Sequence, residues 1–268
     1  MNRHLRRTRT GGATLALIAL LLAGGCSSGG GFNIVSLEEE WQLGNQLAQD
    51  ISRQMRLSND AQALAYVNRV GRQIVSQTEM GQLPWNFHIV VDPEVNAFNI
   101  PGGHVYVTTG LIAAADNASE FAGVMAHEIA HGVERHGTEQ LSRAYGLNIV
   151  AAVLLGQNPA VYQQILAQII GTGTLARFGR DAENEADQLG TRMMHQAGYN
   201  PRGMVTMFEE LLRRRQGTPG SVEKFFSTHP LTEDRIRYVE RTINSLPAKS
   251  NLITNEADYN SLRSRVGG

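Results

Sequence analysis

Two histidines and a glutamate stand at a spacing that suits a catalytic metal site. His127 and His131 are four residues apart, and Glu128 lies between them. On a helix, side chains at this spacing share one face, so both imidazoles can reach a single ion. Zinc accepts such a pair of ligands, and a neighbouring glutamate can take a proton from an attacking water. The spacing therefore predicts Zn²⁺ as the cofactor and hydrolysis as the reaction, with Glu128 as the catalytic base.

A catalytic zinc needs a third protein ligand, and the residues just after the histidine pair do not supply one. The metzincin pattern requires a glycine three residues and a histidine six residues after the second histidine. Glu134 and Gly137 occupy those two positions in this chain. His136 is one position short, and on a continuous helix it lies about 180° around from His127. We therefore expect His136 to be a structural or surface histidine.

The better candidate for the third ligand is Glu183. It belongs to the acidic run 181–187, which begins a predicted helix, and Asp187 lies four residues further along the same face. A histidine ligand commonly donates its second ring proton to a carboxylate, a role that suits Asp187. Acidic residues are also common at helix N-termini because the helix dipole favours them, so the residues alone leave both interpretations open. Glu185 lies on another face and is expected to be solvated.

The elements that must position these residues are mostly helical. Strands are predicted at 87–91 and 104–108, with a loop that contains residues 96–103 between them. His88 and His104 are expected to face solvent, and the second strand offers an edge for pairing with an extended substrate. Helices are predicted at 37–55, 60–77, 118–136, 139–155, 160–170, 181–197, 201–215 and 231–246.

Two apolar stretches, 148–155 and 165–170, are too short to span a bilayer. They fit a buried pair of helices joined by a turn at 156–159. A surface that contacts a membrane or gathers substrate is the alternative.

The N-terminus has the composition of a secretion signal. Residues 1–25 hold four arginines and no acid, and 13–23 are apolar apart from one threonine. Residues 22–26 resemble the bacterial lipoprotein box, which implies lipidation of Cys26 and, with Ser27 following, sorting to the outer membrane. We therefore divide the chain into a signal peptide (1–25), a flexible tether (26–36), a domain that carries the predicted zinc site (37–247) and a polar tail (248–268).

Charge and cysteine content exclude several classes of protein. The formal net charge is −1, and the four N-terminal arginines leave the rest of the chain more acidic, which argues against nucleic acid as a partner. Cys26 is the only cysteine, so the domain after it has no disulfide, no thiolate metal site and no thiol nucleophile. Any transition metal must be held by histidine and carboxylate.

These residues resemble the gluzincin metallopeptidases of the HtpX, LoiP and BepA type. The pattern His127-Glu-x-x-His131 is followed by Glu183-x-x-x-Asp187, and further matching stretches are 40–44, 96–98, 101–103, 110–111, 197–199 and 228–230. The resemblance covers residues 37 to 246 and implies an α+β zincin-like domain with a small sheet beside the active-site helix. It also implies that Glu183 is the third zinc ligand and that Asp187 contacts a histidine ligand rather than the zinc. A compact, lipid-anchored LoiP-like peptidase fits best.

His229 is a further candidate catalytic residue. Pro230 follows it and restricts its backbone, so the imidazole is presented from a constrained turn. The resemblance of the stretch 228–230 implies a position near the zinc. There the side chain is either a hydrogen-bond donor to the oxyanion or a fourth ligand that holds the enzyme latent.

The sequence thus predicts a zinc endopeptidase that cleaves unfolded or misassembled envelope proteins. Its expected partners are protein or peptide substrates and a membrane reached through the lipid anchor. The alternative is a periplasmic lipoprotein chaperone or assembly scaffold with little catalysis. The intact Glu128 favours the enzyme, because a binding module has no need of a base beside the metal.

Overall fold

Helices dominate the part of the chain that the structure describes, where three short strands form one sheet. The computed structural model describes residues 35–173, 177–217 and 220–266. The strands are β1 (Asn86–Val90), β2 (Ala97–Ile100) and β3 (His104–Thr108). The helices are α1 (Leu37–Gln54), α2 (Ala61–Val75), α3 (Thr109–Ala114), α4 (Ala118–Val133), α5 (His136–Tyr145), α6 (Leu147–Leu154), α7 (Pro159–Thr172), α8 (Arg180–Gln196), α9 (Arg202–Gly217), α10 (Glu223–Thr228), α11 (Glu233–Ser245) and α12 (Ala257–Val266). The predicted α+β class, mostly helical with a small sheet, is confirmed.

The sheet places β3 between the other two strands. β3 pairs in parallel with β1 and antiparallel with β2. The prediction that residues 104–108 offer a free edge is therefore wrong, because both sides of that strand carry partners. The edge strand β2 lies inside the segment 96–103 that the sequence predicts as a loop. Its four residues are all buried, so they lack the alternation of polar and apolar residues that identifies a half-buried strand.

Helix α4 forms the centre of the fold. Every residue from Ala118 to His131 is buried, since α2, α8, α9 and the sheet surround the helix. Helix α8 approaches it closely at Gly190, where a Cβ would lie 3.0 Å from the carbonyl of Ala126. Glycine suits this position because a side chain would require the two helices to move apart by a few tenths of an ångström. This close contact brings the acidic start of α8 toward the two histidines of α4.

Several boundaries differ from the sequence-based expectation. The single predicted helix 139–155 is two helices, α5 and α6, separated at Gly146, whose φ of 79° requires a left-handed backbone. Helix α4 ends at Val133, and Arg135 is also left-handed, with φ 58°. The short helices α3 and α10 and the terminal helix α12 are not predicted. Helix α12 has a weakly amphipathic sequence and is held to the core by Tyr259 and Leu262.

The apolar segment between 148 and 170 forms the helix pair α6 and α7. Val150, Val153 and Ile169 bury one side of the pair in a cluster with α1, which fits the buried-pair interpretation. The outer side of the pair leaves three large apolar side chains partly exposed: Leu147, Ile149 and Leu155. Within the described ranges, no helix has both the length and the apolar character to cross a bilayer. Cys26 and the predicted signal peptide lie outside those ranges.

Candidate metal centre

Side chains define the start of helix α4. Oδ1 of Asn117 accepts hydrogen bonds from the backbone N–H groups of Ser119 and Glu120, both at 3.1 Å. The carboxylate of Glu120 accepts a third bond, from the N–H of Asp116, at 2.7 Å. Caps of this kind contribute about 1 kcal/mol to helix stability. They set the first turn of α4 and therefore the face on which the two motif histidines emerge two turns later.

The structure brings Glu183 to the two histidines. The Nε2 atoms of His127 and His131 lie 3.1 Å apart. Oε1 of Glu183 lies 3.5 Å from Nε2 of His131, and its Oε2 lies 3.7 Å from Nε2 of His127. All three side chains are buried. Glu183 lies 52 and 56 positions from the two histidines in the sequence, yet all three offer their ligand atoms to one point.

His229 joins the same group. Its Nδ1 lies 3.3 Å from Nε2 of His127 and 3.0 Å from Oε1 of Glu183. Its other nitrogen, Nε2, lies 3.3 Å from Oε1 of Glu128. The ligand atoms of His127, His131, Glu183 and His229 all lie within 4.8 Å of one another. Both roles considered for His229 therefore have the proximity that they require.

The spacing and chemistry of this group fit a metal ion. Ligands held about 2.0–2.1 Å from a tetrahedral ion lie about 3.4 Å apart, close to the separations observed here. Imidazole nitrogen and carboxylate oxygen are donors that zinc prefers. Oε1 of Glu128 and Nε2 of His229 are buried and, apart from their 3.3 Å contact with each other, have no hydrogen-bond partner among the described residues. Buried polar atoms with so few partners are costly in a protein interior, and a bound ion with its water would supply more.

Protonation states also suit metal binding. Burial holds the pKa of His131 well below its usual range, so the ring is neutral and has a lone pair to donate. Burial alone would raise the pKa of Glu183. The neighbouring charges of His229 and Arg235 outweigh that effect and hold this pKa well below its usual value. The group thus combines a neutral imidazole with an ionised carboxylate.

Asp187 and Arg235 hold the side chains of His127 and Glu183 in place. Oδ1 of Asp187 lies 2.9 Å from Nδ1 of His127, on the opposite side of the ring from Glu183. Arg235 donates two hydrogen bonds to the carboxylate of Asp187, each at 2.7 Å. A further nitrogen of Arg235 lies 2.5 Å from Oε2 of Glu183. The buried guanidinium of Arg235 therefore connects two carboxylates. One is that of Glu183, beside Nε2 of His127, and the other is that of Asp187, beside Nδ1 of the same ring.

Sequence reasoning missed Arg235, although a signal was present. The buried residues of α11 are Arg235, Val239 and Thr242. Their spacing of four and three residues marks the inner face of a helix. An arginine on that face must have a buried acidic partner, because an unpaired charge is too costly to bury.

His136 lies close to the metal centre, contrary to the expectation that it points away. Its Nδ1 is 2.9 Å from Nδ1 of His131, so one ring donates a hydrogen bond to the other. Because α4 ends before His136 and Arg135 turns the backbone, the angle for a continuous helix does not apply. Glu185, expected to be solvated, is partly exposed and lies 3.4 Å from Nε2 of His136. A chain of contacts thus runs from the surface to His131.

Three other histidines stay apart from the metal centre. His88 and His104 lie on the sheet, their rings stacked and their nearest nitrogens 3.1 Å apart. The expectation that His104 faces solvent is wrong, because α1 covers this face and Oδ1 of Asn45 lies 3.0 Å from its Nε2. Burial lowers the pKa of both rings to about 4, so they are neutral near pH 7. His195 is buried on α8, consistent with a structural role.

Strand β2 provides the sheet residue that reaches Glu128. Nδ2 of Asn99 donates a hydrogen bond of 3.2 Å to Oε2 of Glu128. Asn99 holds one carboxylate oxygen in this way, and Oε1 keeps no hydrogen-bond partner. The edge strand beside the metal centre is therefore β2, whereas the sequence predicted residues 104–108.

Comparison with known proteins agrees with this geometry. Residues 61–243, more than half of the chain, match the model of peptidase family M48. The chain belongs to family M48. Peptidases of this family depend on a metal, and the buried group of three histidines and Glu183 is the M48 chain's candidate site for that metal.

Individual relatives extend the match beyond the family model. The chain is 31% identical over 212 residues to the mitochondrial metalloendopeptidase OMA1 of Schizosaccharomyces pombe, covering 78% of this chain and 62% of that protein. It is 31% identical over 223 residues to the beta-barrel assembly-enhancing protease of Escherichia coli K12, covering 79% of this chain and 45% of that protein. The match therefore spans about half of the length of these M48 relatives.

Proposed function

We propose that this chain is a zinc-dependent endopeptidase. The observation that carries the proposal is the buried group of His127, His131 and Glu183, with the carboxylate of Glu128 beside it. The relatives of this chain named above are a metalloendopeptidase and a protease. A chaperone or scaffold has no use for a buried carboxylate next to a metal site, so this alternative is not favoured.

The residues of the metal centre would have different roles in peptide hydrolysis. His127, His131 and Glu183 would hold zinc, which when bound supplies Lewis acidity to the scissile carbonyl and to the attacking water. Oε1 of Glu128 accepts a proton from the attacking water, and Glu128 later delivers that proton to the leaving amine. Asn99 keeps the carboxylate in place through Oε2.

Zinc dependence gives the direct test of this proposal. We expect the purified protein to hold one zinc per chain and to cleave casein. Cleavage should stop after dialysis against a chelator and return with added Zn²⁺, because a carboxylate and neutral imidazoles bind zinc reversibly. Elemental analysis and a casein assay measure the two quantities. Cleavage that survives complete removal of metal would contradict the proposal.

We propose that His229 is a fourth ligand that holds a fraction of the enzyme latent. The support is that its Nδ1 lies among the ligand atoms and that its ring is fully buried. Burial opposes a positive charge on this ring, but the carboxylates of Glu128 and Glu183 outweigh burial and raise the pKa of His229. Zinc would displace the ring proton, since a ligating imidazole must be neutral.

The two roles considered for His229 predict opposite effects of His229→Ala on casein cleavage. If the side chain occupies the position that water needs, removing it should raise casein cleavage in proportion to the fraction of enzyme held latent. If it donates to the oxyanion instead, kcat should fall by about 10²–10³-fold. Rates and zinc content of wild type and variant separate the two roles. Unchanged rates with unchanged zinc content would exclude both.

We further propose that the protein is a lipoprotein on the periplasmic face of the outer membrane. The support is the lipoprotein-like sequence before Cys26, together with the bacterial relative whose name refers to beta-barrel assembly. Its substrates would then be unfolded or misassembled envelope proteins.

The anchor is tested with Cys26→Ser. Each buried CH₂ of an acyl chain contributes about 0.8 kcal/mol to membrane binding, and stable anchoring takes more than one chain. We therefore expect this variant to leave the membrane fraction or to keep its signal peptide. Fractionation and mass spectrometry detect these outcomes. Wild-type fractionation of the variant, with the signal removed, would refute lipid anchoring.

A further inference from the structure

A cavity of about 780 Å³ lies beside the metal centre. Glu183 and Arg235 form part of its wall, so it adjoins the place where the scissile bond would lie. Its outer wall consists of the start of α8, the residues just before it, and the exposed side of α11. The volume falls in the range of about 300–1,000 Å³ that is usual for ligand pockets. The cavity is therefore large enough to take part of a substrate.

The accessible wall of this cavity is positively charged. Arg177, Arg180 and Arg241 line it, and each is exposed. None of the three forms an ion pair within the part of the chain that the structure describes. The acid of the outer wall, Asp234, is already paired with Arg237. We call this set, Arg177, Arg180 and Arg241, the arginine wall.

The acidic group on the inner wall does not cancel this charge. Glu183 faces the metal centre and is paired with Arg235, whose own charge is shared with Asp187. These three residues are buried, and the one negative charge that Arg235 leaves unbalanced faces His229, whose Nδ1 lies 3.0 Å from Oε1 of Glu183. The arginine wall thus presents its charge to whatever occupies the cavity.

The wall is suited to a carboxylate. The guanidinium of Arg241 lies 5.6 Å from the centre of the Tyr238 ring, a contact that limits its motion at the cavity rim. A guanidinium presents its donors in a planar fork that matches the two oxygens of a carboxylate. Several such forks around one cavity favour a ligand with more than one acidic group.

We propose that the arginine wall binds acidic side chains of the polypeptide substrate and selects segments rich in Asp and Glu near the cleavage site. The inference rests on the proposed endopeptidase function, because it assigns a substrate class to that same site. Its physical basis is the uncompensated charge of three arginines in a cavity next to the metal ligands.

A binding experiment tests this without requiring cleavage. The protein is the full chain carrying Glu128→Gln. The probes are a fluorescein-labelled, amide-capped repeat peptide of Glu, Ala and Val and its counterpart with Gln for every Glu. We expect the acidic peptide to bind about tenfold more tightly by fluorescence anisotropy, and the difference to shrink as salt is raised. In Arg180→Gln/Arg241→Gln, the two peptides should bind almost equally.

Arg192→Gln is the matched control, since Arg192 is an exposed arginine on α8 outside the cavity. It should keep the preference for the acidic peptide. Equal binding of both peptides to the starting protein would overturn the proposal. An equal loss in the control and in the double variant would also overturn it, because the preference would then reflect general charge. A third probe, the Gln peptide with a free C-terminal carboxylate, should bind no better than its capped form. Preferential binding of this probe alone would reassign the cavity to chain ends.

Casein cleavage by the unaltered chain separates this inference from the proposed function. Preference for the acidic peptide without any cleavage would reject the endopeptidase and leave an acid-binding cavity. Cleavage without the preference would reject the acid-binding cavity and leave the endopeptidase. In the cleaving enzyme, the double variant should raise KM for acidic peptides and leave kcat unchanged, since these contacts bind substrate and transition state alike.

Discussion

Glu128→Gln is expected to lower kcat for casein by about 10²–10⁴-fold, the range for loss of a general base. The amide has nearly the shape of the carboxylate and keeps an oxygen for the hydrogen bond from Asn99. It cannot take a proton from water, however. Zinc content should stay at the wild-type value, because Glu128 is not among the four residues whose ligand atoms cluster. Initial rates and elemental analysis of the two proteins provide the comparison.

The control for this experiment is Glu209→Gln, which removes an exposed carboxylate on α9. It should cleave casein at the wild-type rate. If Glu128→Gln retains wild-type proteolysis, Glu128 is not the base, and the proposed mechanism fails. If the variant loses its zinc together with its activity, Glu128 acts by supporting the metal site.

Arg235→Met is expected to destabilise the protein by about 3–5 kcal/mol, the usual cost of removing one partner of a buried ion pair. The side chain of Arg235 is 3% exposed and contacts the carboxylates of both Asp187 and Glu183. Methionine fills similar space but removes the arginine partner of Asp187 and leaves Glu183 with only the charge of His229. Urea unfolding in the presence of a chelator measures the loss of folding free energy without a contribution from metal.

Arg237→Met is the matched control for this prediction. Arg237 lies two residues further along α11, is 56% exposed, and pairs only with acids that are 85% exposed. Its loss should cost less than about 1 kcal/mol. In Arg235→Met, zinc affinity should also fall by about 10–100-fold, because Asp187 no longer orients His127. Equal unfolding midpoints for the two variants would show that the buried contacts of Arg235 contribute no net stability.

The sequence by itself determined the features that depend on local spacing. His127 and His131 could be paired from their four-residue separation, since helix geometry converts that separation into a shared face. The main helices followed from short-range patterns in the same way. The mostly helical fold class needed only these elements. Glu183 could be proposed as a metal ligand from the acidic run 181–187. Only the family resemblance favoured that role over the interpretation of the run as an ordinary acidic helix N-terminus.

Only the tertiary structure decided which distant residues meet. The strand β2 gains its identity from pairing with β3, a contact that no alternation within its own four residues reveals. His136 contacts His131 because the chain turns at Arg135, where the predicted helix would have continued. The partners of Arg235 lie 48 and 52 residues away, on another helix. Such contacts depend on how whole helices pack, and the cost of burying a charge is compensated only when that packing brings opposite charges together.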